Sequence, residues 1–140
     1  MPAPADLQTS NNGATAGRPE AGDTLVLTFA GTVNPDLVLG GWDGSTTTIT
    51  VTAAQFASDD VLSFDSGGTA LTALGYISLS GNYSNSISFT GSTMTASGST
   101  VTIVLGTPSG VVHTVSSPTT MFWWAPTGWV FESGASDVEF

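Results

Sequence analysis

The chain is written in short alternating runs, most of them closed by glycine. The clearest is Thr100-Val101-Thr102-Ile103-Val104-Leu105, set between Gly98 and Gly106. Successive side chains on a strand point to opposite faces, so Val101, Ile103 and Leu105 form an apolar row and the threonines a polar one. Thr24-Leu25-Val26-Leu27-Thr28-Phe29 repeats this, with Leu25, Leu27 and Phe29 on one face. Further strands are expected at 46–52, 61–65, 74–79, 86–89, 93–95, 111–115 and 119–124, about nine in all, with turns every 8–12 residues. Ser66-Gly67-Gly68, Gly81-Asn82 and Gly91-Ser92 read as turns. Only Asn34-Pro35 suggests a helix, a single turn with Asn34 as N-cap and Pro35 at the first helical position.

This pattern predicts an all-β fold: an antiparallel immunoglobulin-like β-sandwich with Greek-key connections, or, as the alternative, a barrel. The 140 residues suit one domain with its own core. Residues 1–20 show almost no apolar periodicity. They are expected to form an extended N-terminal arm, either loose or ordered on a neighbour's strand edge, with residues 21–140 as the sandwich domain.

Charge narrows the function classes. Arg18 is the only cation, there is no lysine, and eleven carboxylates bring the net charge to −10. Such a chain cannot neutralise a nucleic-acid backbone or grip an anionic membrane by charge. Charged residues make up only 9% of the chain, so polarity rests on 22 threonines and 18 serines. Threonine suits a half-wet sheet surface. Cysteine is absent. The N-terminus has neither a basic region nor an apolar run, so no signal peptide is expected.

Ala21-Gly22-Asp23-Thr24-Leu25-Val26-Leu27-Thr28-Phe29, followed by Val33-Asn34-Pro35, resembles the opening of bacterial immunoglobulin-like domains. Gly41-Trp42-Asp43-Gly44, Ser99–Gly106 and Glu132–Phe140 are similar to segments of a variant found in actinobacterial surface proteins and actinobacteriophage virion proteins. The resemblance spans roughly residues 20 to 140, implies the sandwich, and carries no catalytic residue. It makes Trp42 a candidate core tryptophan.

No reactive constellation emerges. His113, the single histidine, lies between Val112 and Thr114 and reads as an ordinary strand residue. Without cysteine or further histidines a zinc site has no ligands. Asp23, Asp43, Asp59, Asp60 and Asp65 lie at turns, where calcium ligation and simple solvation are the two readings. No cofactor, no metal and no catalytic residue are expected. The densest apolar segment is Met121–Phe131. Phe122 and Trp124 must face one way and Met121 and Trp123 the other. One set can be core; the other is either covered within the monomer, used as a subunit interface, or offered as a sugar platform.

The candidate partner interface is therefore Arg18, Phe122, Trp123, Trp124 and Trp129. The expected function is a non-enzymatic phage virion protein on the particle exterior, made in the host cytoplasm. It would be a capsid decoration protein that binds and stiffens the shell as a homo-oligomer such as a trimer. Its partners would be the major capsid protein or tail proteins. A tail-associated protein and a cell-surface glycan-binding or adhesion module are the alternatives. Neither nucleic acid nor membrane is an expected partner.

Overall fold

The computed structural model describes residues 1–56, 59–115, 120–133 and 140. The strands are β1 (Pro4–Ser10), β2 (Thr24–Phe29), β3 (Thr47–Phe56), β4 (Asp59–Ser66), β5 (Thr69–Ala70), β6 (Tyr76–Ser78), β7 (Ile87–Ser97), β8 (Thr100–Val104), β9 (Thr107–Pro108), β10 (Thr120–Ala125) and β11 (Gly128–Ser133). One α-helical turn, α1 (Pro35–Val38), follows β2, and a 3-10 turn at Thr72–Leu74 precedes β6. All strand pairings are antiparallel.

The hydrogen-bonded order is β1-β2-β8-β7-β3-β4-β6-β10-β11, with β5 on β4 and β9 on β7. The strands β3, β4 and β6 run side by side, and β7 then returns to lie beside β3. That is the spatial order of a Greek key. At the ends of the path, β1 lies against β10 and β11. The fold is thus all-β, antiparallel and sandwich-like, as the alternation predicts, and its single sheet wraps until it nearly closes as a barrel. Alternation fills the interior: Leu25, Leu27 and Phe29 of β2 and Val101 and Ile103 of β8 are all buried.

Residues 4–10 do not form an arm. They pair with β2 from Pro4↔Phe29 to Ser10↔Thr24 and bury Leu7 and Thr9. The segment looked structureless because only a few of its side chains face inward. Backbone pairing and the free edge of β2 supply the rest. The loop from Asn11 to Gly22 is also fastened. The Asp23 carboxylate, fully buried, accepts from Asn12 N and Gly13 N on Oδ1 and from Glu20 N on Oδ2, each at 2.8 Å. Phe140 is buried, its ring edge-on to Tyr83 at 6.4 Å, and its carbonyl accepts from Gly17 N.

The helical turn forms as expected, with Asn34 Oδ1 accepting from Asp36 N at 3.2 Å. Trp42 is buried and donates from Nε1 to Ser45 O at 2.6 Å, from a loop after α1 and not from a strand. Gly91 is not a hairpin turn. Its φ of +72° lies within β7, where the register against β3 shifts between Ile49 and Val51. A glycine in left-handed conformation that adds a residue to one strand is a bulge. The strand expected at 111–115 shrinks to one bridge, Ser84↔Val112, and residues 134–139 of the Glu132–Phe140 segment lie outside the described residues.

Candidate functional site

β10 pairs with β6 on one side and β11 on the other, and this sets its aromatic side chains in a lattice. The register places Trp124 opposite Tyr76 on β6 and opposite Trp129 on β11. Directly opposed residues share a face, so the three rings form one row across three strands. The row is open: Tyr76 is 40% exposed, Trp124 41% and Trp129 61%. Phe122, half-buried, stands one step along on the same face.

These rings pack on one another. Tyr76 and Trp124 stack at 5.4 Å with planes 26° apart, and Phe122 and Trp129 stack at 5.5 Å with planes 18° apart. Side chains stand roughly perpendicular to a sheet. Rings that stack along the sheet therefore stand on edge, with edges outward and faces turned sideways. A sugar platform needs ring faces open to solvent; a packed protein contact accepts edges equally well.

The row continues toward β4 and β3. Ala54, Phe56, Val61, Ser63 and Tyr76 line a hollow of about 450 Å³, with Phe56 63% exposed. On the other side of Tyr76 a second hollow of about 280 Å³ reaches Leu71, Gly75, Trp124 and Pro126. Asp59 is the ladder partner of Phe56, and Asp65 follows Val61 and Ser63 by alternation on β4. Carboxylates thus share the aromatic face.

The other sequence candidates lie elsewhere. Trp123 is core: fully buried, edge-on to Phe29 at 5.0 Å, with Nε1 donating to Leu74 O at 2.8 Å. The alternation on β10 separates it from Trp124, and the inward side is the one holding Phe29 and Leu74. Arg18 does not join the aromatic face. It donates from Nη2 to Thr15 Oγ1 at 2.6 Å, its buried Nε has no partner among the described residues, and it lines a hollow of about 400 Å³ with Pro19, Glu20, Pro108, Val111 and Val112. Sequence reasoning missed Tyr76 and Phe56, whose place beside Trp124 depends on the pairing of β3, β4 and β6.

The turn aspartates divide. Asp23 and Asp60 are fully buried, against the simple solvated reading. Asp60 Oδ2 accepts from Tyr83 N at 2.6 Å and Ser84 N at 2.8 Å, while its Oδ1 and the Ser84 hydroxyl have no partner among the described residues. Asp43 is exposed, and hydrogen bonds from the Ser45 hydroxyl and then the Ser45 amide hold its pKa below the usual 3.8. Among the described residues no three His, Asp or Glu side chains gather as a metal-binding group. His113 is exposed, and its backbone N–H donates to Tyr83 O at 2.5 Å. Among the described residues no helix is long and apolar enough to cross a membrane. The chain matches no protein-family model, no curated protein and no solved structure at a significant level.

Proposed function

We propose that the protein is a non-enzymatic structural component of a phage particle, a decoration protein that attaches to the assembled capsid from outside. One observation carries the attachment: the exposed row Tyr76, Trp124 and Trp129, with Phe122 beside it. Contiguous exposed aromatics on a folded domain mark a surface that is covered by a partner. The rigid sheet beneath holds the rings in place before contact, so little side-chain order is lost on binding. The resemblance of residues 20–140 to virion modules supports the particle as the setting, and the acidic body supports an outward position, where it repels nucleic acid. Attachment to a tail would use the same face.

Particles assembled without this protein provide the test. Purified protein added to them should bind at saturating, countable stoichiometry and raise the temperature at which the shells open. Lack of binding to both capsids and tails would overturn the proposal. Binding instead to wall polysaccharide would make the face a sugar site, despite its edge-on rings.

A further inference from the structure

The aromatic face has a charge character that selects its partner. The chain's one cation, Arg18, lies at another hollow beside Pro108 and Val111. On the face itself the charged groups of β4 are Asp59 and Asp65. Aromatic rings carry negative potential on their faces; one face of Tyr76 is covered by Trp124, and the other turns toward β4 and the larger hollow. The larger hollow has a largely apolar floor of Ala54, Val61 and Ser63 between the rings of Phe56 and Tyr76, and Asp59, the ladder partner of Phe56, lies beside it. An apolar floor with negative walls suits a long side chain that has an apolar stem and a cationic head.

We infer that this face docks on a protein surface that presents arginine or lysine side chains from an apolar patch, with one such side chain seated between Phe56 and Tyr76. This rests on the proposed attachment of the protein to a larger particle. A second copy of the chain is a poor occupant. Each copy carries −10, and a two-fold contact would place the same acidic face against itself. A neutral glycan would leave Asp59 without a role, whereas Asp65 also accepts from Gly68 N at 3.1 Å in the turn after β4.

Three proteins decide the matter: wild type, Trp124→Ala, and the double variant Asp59→Asn/Asp65→Asn. Circular dichroism first establishes that each is folded. Binding to particles lacking the protein is then measured from about 50 to 500 mM salt, a range over which screening removes exposed charge interactions. Trp124→Ala should weaken binding by roughly 30-fold or more, as expected for an interface aromatic. The double Asn variant should weaken it about 5- to 30-fold at low salt and flatten the salt dependence. If wild type binds and the double variant binds equally with the same salt slope, the cationic partner is wrong while the attachment stands.

If wild type does not bind particles, the attachment has failed, and a second measurement still decides this inference. An amphipathic arginine–leucine peptide should shift the amide signals around Tyr76 and Trp124, and its glutamate–leucine counterpart should not. Equal response to both peptides, or to neither, overturns the cationic partner. So does a concentration-dependent dimer that Trp124→Ala abolishes.

Discussion

Trp123 and Trp124 are adjacent on β10 and face opposite ways, one sealed against Phe29 and Leu74, the other stacked in the open on Tyr76. Replacing them should separate stability from recognition. Trp123→Ala empties a core site and leaves the Leu74 carbonyl without its donor, which is expected to cost about 3–5 kcal/mol. Trp124→Ala removes a half-exposed ring and one stacking contact, expected to cost about 1 kcal/mol. Urea midpoints for the two variants check this, and a larger loss for Trp124→Ala would contradict the assignment of faces.

Asp23 fastens a loop to the sheet through backbone amides. Its carboxylate takes three N–H groups from Asn12, Gly13 and Glu20. Asp23→Ala removes all three acceptors at once and should cost about 3 kcal/mol, since hydrogen bonds to a charged group contribute roughly 1.5–3 kcal/mol each and the freed amides regain some water. Asp23→Asn keeps one carbonyl oxygen and should lose about half as much. Hydrogen exchange at residues 12, 13 and 20 should accelerate in both variants while β8 stays protected.

Gly75 and Gly67 both hold positive φ, +68° and +57°, but their surroundings differ. A Cβ on Gly75 would lie 1.8 Å from the Trp124 carbonyl, whereas one on Gly67 meets nothing within 4 Å. Gly67→Ala should cost only the left-handed backbone penalty, about 1–2 kcal/mol. Gly75→Ala must push β6 away from β10, and is expected to cost more than about 4 kcal/mol and to abolish any binding that depends on the Tyr76–Trp124 stack. Thermal melts of the two variants, with near-ultraviolet circular dichroism, provide the comparison.

Asp43 gives a pH signature. Its folded pKa lies below the unfolded value, because Ser45 donates to the charged form. The sign follows: this stabilisation is present above the unfolded pKa of 3.8 and is lost as pH falls through the lower folded value. Asp43→Asn keeps an acceptor that does not titrate in this range. The fall in Tm between about pH 5 and pH 2.5 should therefore be smaller in the variant than in wild type. Equal falls would assign no linkage to Asp43.

How much was legible depends on whether a residue's fate was local. β2, β8 and the Asn34–Pro35 helical turn could be read from alternation and capping, which act over a few residues. Alternation also showed that Trp123 and Trp124 must diverge, but not which faces inward; that depends on Phe29, far away in sequence. β1 was hidden because a strand that completes an edge needs few apolar residues of its own. Gly91 looked like a turn because a bulge and a turn use the same left-handed glycine. Asp23 and Asp60 looked like solvated acids, since the groups that satisfy them are amides, which every sequence contains and none advertises. Tyr76 and Phe56 became part of the site only through pairings across strands.

The meeting of β1 with β11 joins residues 4–10 to residues 128–133, nearly the full length of the chain apart. Contacts of such separation form last, because closing so long a loop costs entropy before any contact compensates. Neighbouring hairpins such as β3–β4, β7–β8 and β10–β11 need no such closure and assemble first. The joining of the two ends of the sheet is then the expected last event of folding, and their parting the expected first event of unfolding. Substitutions at this join should act chiefly on how fast the molecule opens, and so on how long a single molecule stays folded.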